Sequence, residues 1–186
     1  MLSDSKEDSA VMNRLYLTII LSITLTSLLT LPSLCQAVEG DDIIGEWITQ
    51  EKDCRVEIFK KNERYHGSIA ALKYPNYLPG EEEGPNGTPR LDSNNPDVSL
   101  RSRPMVGIEL LSHFRFDNGK WVDGHIYDPK NGKTYKCNIS ISEDGKLHVR
   151  GYIGLSLLGR TTIWESAKTH LEKELNFLGL NNCSCQ

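Results

Sequence analysis

The feature that most constrains the fold is a succession of short segments, between residues 43 and 164, in which apolar and polar residues alternate. Gly, Asn, Asp and Pro separate these segments. Alternation with a period of two places apolar side chains on one face of a strand, and turns at this spacing are typical of all-β proteins. The predicted strands are 44–50, 54–60, 63–72, 106–116, 120–128, 133–142, 146–153 and 160–166. Eight strands is the number that closes a small up-and-down antiparallel β-barrel.

A long segment at 73–104 interrupts the strand pattern. It holds six of the eight prolines of the chain and the acidic run 81–83, so it does not fit a central strand. A loop of this length inside a compact domain is usually a lid or a binding loop, or it is disordered. We therefore predict a barrel domain over 38–166 with a long Pro-rich loop.

A helix is predicted after the last strand. Leu171, Leu175 and Leu178 lie at helical spacing, and Ser166 is placed to cap the first turn. This amphipathic helix is expected to pack on the barrel wall, so that residues 167–186 form a C-terminal helix and tail.

The first 37 residues have the pattern of a secretory signal peptide. An apolar run at 15–31 follows Arg14 and ends at Pro32, and Cys35 and Ala37 supply small residues before a cleavage site. The chain is therefore expected to be exported, to the periplasm or outside the cell. A retained membrane anchor and a lipid-modified Cys35 are the alternatives. Translation could begin at Met1 or at Met12.

Charge and cysteine content limit the partners. The net charge is −4 without a basic cluster, which argues against nucleic acid. The cysteines of the exported chain are Cys54, Cys137, Cys183 and Cys185. Four cysteines allow three disulfide patterns, with long-range pairs favoured, and the alternative is free thiols. The oligomeric state stays open.

Turn chemistry predicts the register of four strands. The turn from Asp128 to Gly132 pairs Ile126 with Tyr135, and a three-residue loop ending at Gly145 pairs Ile141 with Leu147. A three-residue loop at 117–119 would pair Ser112 with Gly124 and Phe114 with Val122. In this register Trp121, Asp123, His125 and Tyr127 lie on the outer face, away from Cys137, so no catalytic site forms there.

The same register predicts a row of small residues across the inner face, formed by Ser112, Gly124, Cys137 and Gly151. Such a row leaves a trench in the barrel. Either Trp47 or Trp164 fills it, or it is the floor of a ligand cavity to which Tyr135 also contributes.

Three blocks of sequence resemble a known family. The blocks 92–111, 119–135 and 149–164 are similar, in order and spacing, to the bacterial exported proteins called domain of unknown function family 2147. The resemblance implies a lipocalin-like fold of the calycin superfamily and no established catalytic residue. Gly45 and Trp47 match the Gly-x-Trp motif of lipocalins, and Arg160 matches the basic residue that packs on this Trp.

Catalytic and metal-binding patterns receive little support. The histidines and cysteines form none of the usual metal motifs, and no nucleophile elbow is present, so neither a metal nor a cofactor is expected. Arg101 and Arg103 could hold an anionic ligand at the barrel mouth. Alternatively they pair with Asp92 and Asp97 and fold the long loop back on itself.

The connection at 154–159 is unusually apolar. Leu155, Leu157 and Leu158 either fold inward and seal the barrel, or stay exposed at a site of ligand entry, a partner or a membrane surface. Apart from the signal segment, this loop is the only membrane contact that the sequence indicates.

Three functions follow, in order of preference. The first is a non-catalytic barrel that binds a small apolar or amphipathic ligand. The second is a protein-interaction module of the cell envelope with a filled barrel. The third is an enzyme that acts from the loop end through Asp92, Asp97, Arg101 and Arg103. The ligand-binding residues predicted under the first are Arg101, Arg103, Ser112, Gly124, Tyr135, Cys137, Gly151, Leu155, Leu157 and Leu158.

Overall fold

The computed structural model describes residues 38–177, and it shows a closed antiparallel barrel of eight strands. Each strand pairs with the next in sequence, and the last strand pairs with the first. The strands are β1 (Gly45–Ile48), β2 (Cys54–Lys61), β3 (Arg64–Leu72), β4 (Glu109–Asp117), β5 (Lys120–Asp128), β6 (Lys133–Ile141), β7 (Leu147–Tyr152) and β8 (Arg160–Ser166). Helix α1 (Ala167–Phe177) follows β8.

The predicted up-and-down barrel is confirmed. The strands lie close to their predicted positions, with the largest difference at β4, which begins at Glu109 rather than at 106. The predicted signal segment at 1–37 and the cysteines at 183 and 185 lie outside the described residues. Over residues 38–177, no helix is both long enough and apolar enough to cross a membrane.

Two of the three predicted hairpins have the expected register. Ile126 pairs with Tyr135, and the Gly132 amide donates to the Asp128 carbonyl at 2.8 Å. Ile141 pairs with Leu147 across the loop that contains Gly145. In both turns the glycine has a positive φ, which is the conformation that these loops require.

The register predicted between β4 and β5 is wrong. Asp117 pairs with Lys120, so the connection is a two-residue turn of Asn118 and Gly119, with φ values of 48° and 75°. Two successive positive φ values fit a type I′ turn, which Asn-Gly favours. As a result Ser112 pairs with His125 on the outer face, instead of with Gly124 on the inner face.

A bulge in β5 changes which face its first residues occupy. Trp121 pairs with Ile139, whereas Gly124 pairs with Cys137, so β5 contains one extra residue between these pairs. Asp123, within the irregular stretch, has a φ of 61°. Trp121 was predicted to be outside but is fully buried, and Val122 is on the outer face, where it pairs with the exposed Arg115.

A short 3-10 turn, Gly40–Ile43, closes one end of the barrel, called here the closed end. The indole of Trp121 donates to the Gly40 carbonyl at 2.9 Å, and the indole of Trp47 donates to the Ile43 carbonyl at 2.8 Å. The Tyr65 hydroxyl donates to Asp41 at 2.7 Å. The indoles are therefore buried with their N–H groups satisfied, as a stable core requires.

Helix α1 contacts β1 and β8, but it buries none of its described residues. Leu171 was expected to pack on the barrel and is 56% exposed, while Leu175 is half-buried. Leu178 lies outside the described residues. The helix therefore covers the wall less completely than its leucine spacing predicts.

Candidate functional site

The inner row of small residues is not an open trench. A Cβ atom added at Gly124 would lie 2.3 Å from Cδ1 of Phe114, so the ring of Phe114 occupies the space that this glycine leaves. Ser112 does not belong to the row, because it lies on the outer face. The filling residue is a phenylalanine from the neighbouring strand, rather than Trp47 or Trp164.

Other members of the predicted ligand site also pack within the barrel or its turns. A Cβ atom at Gly151 would lie 3.3 Å from Cγ2 of Ile126. Cys137 is fully buried, and burial raises the pKa of its thiol to about 12. The Tyr135 hydroxyl accepts a hydrogen bond from Asn131 in the β5–β6 turn at 3.0 Å. Cys54 and Cys137, the two described cysteines, are free thiols.

The lipocalin-type pairing of Arg160 with Trp47 is wrong. Arg160 begins β8 beside Gly151, whereas Trp47 pairs with Ser166 at the other end of the same strand. The Arg160 side chain is 81% exposed, with its guanidinium 3.8 Å from Glu51. The first half of the motif keeps its structural role, since Trp47 is buried at the closed end.

The long loop is ordered, and it lies at the open end of the barrel, the end opposite the closed end. Isolated bridges between Asn76 and Pro89 and between Leu91 and Pro104 fold it into a flap. We call residues 73–104 the flap. Tyr77, within the flap, is buried, which is unusual for a loop and shows that the flap has a small core of its own.

A buried carboxylate joins the flap to the barrel. Asp92 is fully buried and accepts hydrogen bonds from Arg103 at 2.8 Å, from Asn95 at 2.7 Å and from the Tyr127 hydroxyl of β5 at 2.6 Å. Burial, followed by the bond to Asp92, raises the pKa of Tyr127 to about 12. The carboxylate is thus surrounded by donors, as a buried charge must be.

The remaining residues of the predicted loop-end enzyme also have structural partners. The Arg101 guanidinium donates to the Asn95 carbonyl at 2.7 Å, and Asp97 accepts from the Ser99 amide at 2.9 Å. The expected folding back of the loop is therefore observed for Asp92 and Arg103, whereas Arg101 bonds to Asn95 rather than to Asp97. The structure provides no exposed cluster of these four side chains in the part of the chain that it describes.

The flap also rests on the β5–β6 turn. The Asn94 amide donates to the carbonyls of Pro129 and Lys130, each at 3.2 Å. A Cβ atom at Gly132 would lie 1.9 Å from the Asn94 carbonyl oxygen, so only glycine allows this approach. The flap therefore has a defined position over the open end.

A cleft of about 470 Å³ lies between the flap, the end of β3 and the β5–β6 turn. Its volume is within the range of small-molecule sites. The apolar part comes from Leu72, Leu91, Met105 and Pro129, and the aromatic part comes from Tyr74 and Tyr77. The polar part comes from the remaining lining residues Asp53, Glu83, Arg90, Ser93, Asn94 and Lys130. An apolar surface with a few polar groups suits an amphipathic molecule.

Arg90 and Lys130, the two cationic residues of the cleft, have carboxylate partners. Arg90 donates to both carboxylate oxygens of Glu81, at 2.6 and 2.7 Å, and to the Tyr74 carbonyl at 2.9 Å. The bonds from Arg90, together with one from the Leu78 amide, lower the pKa of Glu81. Arg90 also lies over the Tyr77 ring at 5.2 Å, and Lys130 is 3.6 Å from Asp53. The cleft therefore offers polar groups and aromatic faces, and among the described residues that line it there is neither a histidine nor a cysteine.

None of the residues predicted to bind a ligand lines this cleft. The sequence does contain a signal for it, because Tyr74 and Tyr77 are aromatic residues inside a Pro-rich loop. The contact between the flap and the β5–β6 turn joins residues about 35 positions apart, so it has no local pattern in the sequence. Across residues 38–177, no group of three His, Cys, Asp or Glu side chains is arranged to hold a metal.

The leucines between β7 and β8 are exposed. The exposed fractions of Leu155, Leu157 and Leu158 are 73%, 86% and 79%, and Ile153 is 72% exposed. The alternative in which the leucines fold inward and seal the barrel is therefore wrong. They lie at the open end, because this connection follows β7 at the same end as the flap.

The comparisons with known proteins agree with this architecture. A solved structure described as protein HP1028 from the human pathogen Helicobacter pylori, which belongs to the lipocalin family, is similar with a TM-score of 0.57. The identity is 24%, over 75% of this chain and 90% of that chain, so the similarity concerns the fold. No curated protein sequence matches the chain. A family described as "Uncharacterized protein conserved in bacteria (DUF2147)" matches residues 45–166, and the chain therefore belongs to this family.

Proposed function

We propose that the protein is a non-catalytic binding protein that holds a small amphipathic molecule in the cleft under the flap. The observation that carries the proposal is the cleft of about 470 Å³, with an apolar base, two tyrosines and oriented charges. A lipocalin-like barrel is a fold in which ligands bind at the open end or inside.

Because side chains pack the barrel interior, the proposed site lies in the cleft rather than inside the barrel. Phe114 fills the space beside Gly124, and Trp121 and Trp164 are buried in the core. Most residues that line the cleft come from the flap and from the β5–β6 turn, and Asp53, Leu72 and Met105 belong to the adjoining barrel rim. The ligand would therefore lie between the flap and the barrel rim.

The polar groups of the cleft suggest the chemistry of the ligand. Tyr74 is half exposed, with Lys73 lying over its ring at 5.5 Å, and it presents an aromatic surface for stacking. Lys130 is paired with Asp53, so a ligand carboxylate or phosphate could replace Asp53 as its partner. The favoured ligand has an apolar or aromatic body and one anionic group.

The protein would act outside the cytoplasm. This part of the proposal rests on the signal pattern at 1–37. Fractionation of cells that express the full chain, followed by mass determination of the product, tests both export and cleavage after Ala37.

The ligand site is tested by blocking the cleft. Native mass spectrometry of protein from its own host should reveal a bound molecule, and a fluorescent fatty acid should compete with it. Ser93→Trp, which fills the cleft, should weaken probe binding at least tenfold. Ser102→Trp, at an exposed serine of the same flap outside the cleft, should not.

Two results would refute the proposal. If neither a native ligand nor the fatty acid binds, or if Ser93→Trp and Ser102→Trp affect binding equally, the cleft is not the site. Equal circular dichroism spectra and equal urea midpoints for the two variants ensure that folding does not explain the difference.

A further inference from the structure

The connection between β7 and β8 forms an apolar surface that the proposed ligand site does not use. We call residues 153–159 the leucine loop. Four aliphatic side chains, those of Ile153, Leu155, Leu157 and Leu158, are each more than 70% exposed. Isolated exposed leucines are common, but four within six residues form a contiguous patch, and such patches mark interaction sites.

The leucine loop has a defined shape. The Leu158 amide donates to the Leu155 carbonyl at 3.1 Å, and the Arg150 guanidinium donates to the Leu157 carbonyl at 3.1 Å. A Cβ atom at Gly159 would lie 2.5 Å from the Gly151 carbonyl oxygen, so the loop returns close to β7. Because the backbone is already ordered, burial of the leucines would cost little conformational entropy.

The charge near the loop differs from that of the whole chain. The chain has a net charge of −4, but residues 150–163 contain Arg150 and Arg160 and neither Asp nor Glu. The Arg160 side chain is 81% exposed, and its guanidinium forms a long ion pair, 3.8 Å, with the Glu51 carboxylate. Protruding aliphatic side chains with flanking arginines are the combination that binds an anionic lipid surface.

The geometry favours a bilayer over a folded partner. The four side chains protrude rather than line a groove, and a fluid lipid surface accepts a protruding apolar group without a matching pocket. We infer that the leucine loop inserts into the interfacial region of an anionic lipid bilayer and turns the open end of the barrel toward it. The cleft under the flap would then face the lipid surface, although the insertion does not depend on the cleft binding a ligand.

A tryptophan placed in the loop tests the inference. Trp47, Trp121 and Trp164 are at most 6% exposed, so an added indole dominates any response to lipid. With vesicles of phosphatidylethanolamine and phosphatidylglycerol that contain brominated phosphatidylcholine, Leu157→Trp should be quenched and its emission should shift to shorter wavelength. Ile44→Trp, at an exposed aliphatic residue of the closed end, should show neither change.

Position-specific quenching is necessary because the apolar run at 15–31 could bring the full chain to vesicles by itself. Adding Leu155→Asp and Leu158→Asp to the Leu157→Trp variant should weaken the lipid-dependent quenching at least tenfold, since each lost leucine removes apolar burial. The far-UV spectrum and the urea midpoint should stay unchanged, because these side chains are exposed in the folded chain.

Three outcomes would overturn the inference. The first is equal quenching of Leu157→Trp and Ile44→Trp. The second is quenching of Leu157→Trp that survives the two aspartates. The third is a blue shift that depends on protein concentration without lipid, which would identify a second copy of the chain as the occupant.

Discussion

Gly124 shows how one residue decides whether the barrel is hollow at its level. The sequence places Gly124 beside Cys137 on the inner face, and this pair is confirmed. The space above the glycine is occupied by Phe114, which belongs to the neighbouring strand. A small residue on an inner face therefore indicates close approach by a larger one as readily as it indicates a cavity.

Replacing this glycine should destabilise the barrel. Gly124→Ala places a Cβ atom 2.3 Å from Phe114 Cδ1, and the resulting overpacking should reduce the free energy of unfolding by about 1–3 kcal/mol. Urea unfolding followed by circular dichroism measures the change. In a Phe114→Leu background the same substitution should cost less, because the smaller side chain leaves room. A cost that is unchanged in that background would exclude Phe114 as the filling residue.

At the scale of elements, the flap is attached to the barrel through a buried polar cluster. Asp92, Arg103 and Asn95 belong to the flap region, and Tyr127 belongs to β5. The flap also contacts the β5–β6 turn through Asn94. The sequence favoured pairing of Arg101 and Arg103 with the flap's own aspartates, but it also allowed an anionic ligand for the arginines, and only the arrangement in space distinguishes these alternatives.

Removing the charge of Asp92 should loosen this attachment. Asp92→Asn leaves the partly exposed Arg103 guanidinium without its carboxylate and should reduce the free energy of unfolding by about 1–3 kcal/mol. Glu82→Gln, an exposed position of the same flap, should change it by less than about 0.5 kcal/mol. Limited proteolysis should cut the flap of Asp92→Asn faster than that of the unmodified chain. Equal unfolding free energies for the two variants would contradict the structural role of the cluster.

At the scale of the whole molecule, a closed sheet surrounds a filled core, and the two surfaces proposed to bind other molecules lie at one end. The closed end is sealed by the turn Gly40–Ile43, with Trp47 and Trp121 bonded to its carbonyls. The flap and the leucine loop lie at the open end. The proposed interactions therefore belong to the open end, whereas the closed end contributes Trp47 and Trp121 to the core.

The stability of the molecule should fall at alkaline pH. The pKa of Tyr127 is raised from 10.0 to about 12, because burial and Asp92 favour its neutral form, and burial raises the pKa of Cys137 from 9.0 to about 12. A raised pKa contributes stability below the pKa of the unfolded chain, and this contribution is lost as the pH rises through the folded value. The free energy of unfolding should therefore decrease from about pH 9 to about pH 12.

Urea unfolding across this pH range measures the decrease. Tyr127→Phe should make it shallower above pH 10, because one of the groups with a raised pKa no longer titrates. An identical slope in Tyr127→Phe and the unmodified chain would show that Tyr127 does not contribute.

The barrel itself was predictable from local information. Alternation of apolar and polar residues identified the eight strands, and turns with Gly132 and Gly145 determined two registers, because turn geometry and side-chain period depend on neighbouring residues. The Asn118-Gly119 turn carried the same kind of signal and was predicted one residue too long. That single residue moved Ser112 to the outer face.

The site required the tertiary structure. The bulge at Asp123, which brings Trp121 into the core, has no clear signal in the sequence, since it depends on packing across three strands. The cleft forms where the flap meets a turn about 35 residues away, and the exposure of the leucine loop depends on what the fold leaves uncovered.

The sequence by itself determined the strands, the closed antiparallel order and most turns, because these follow from local periodicity and backbone preference. Only the tertiary structure decided which surfaces are filled, covered or open, because burial is a property of residues distant in the chain.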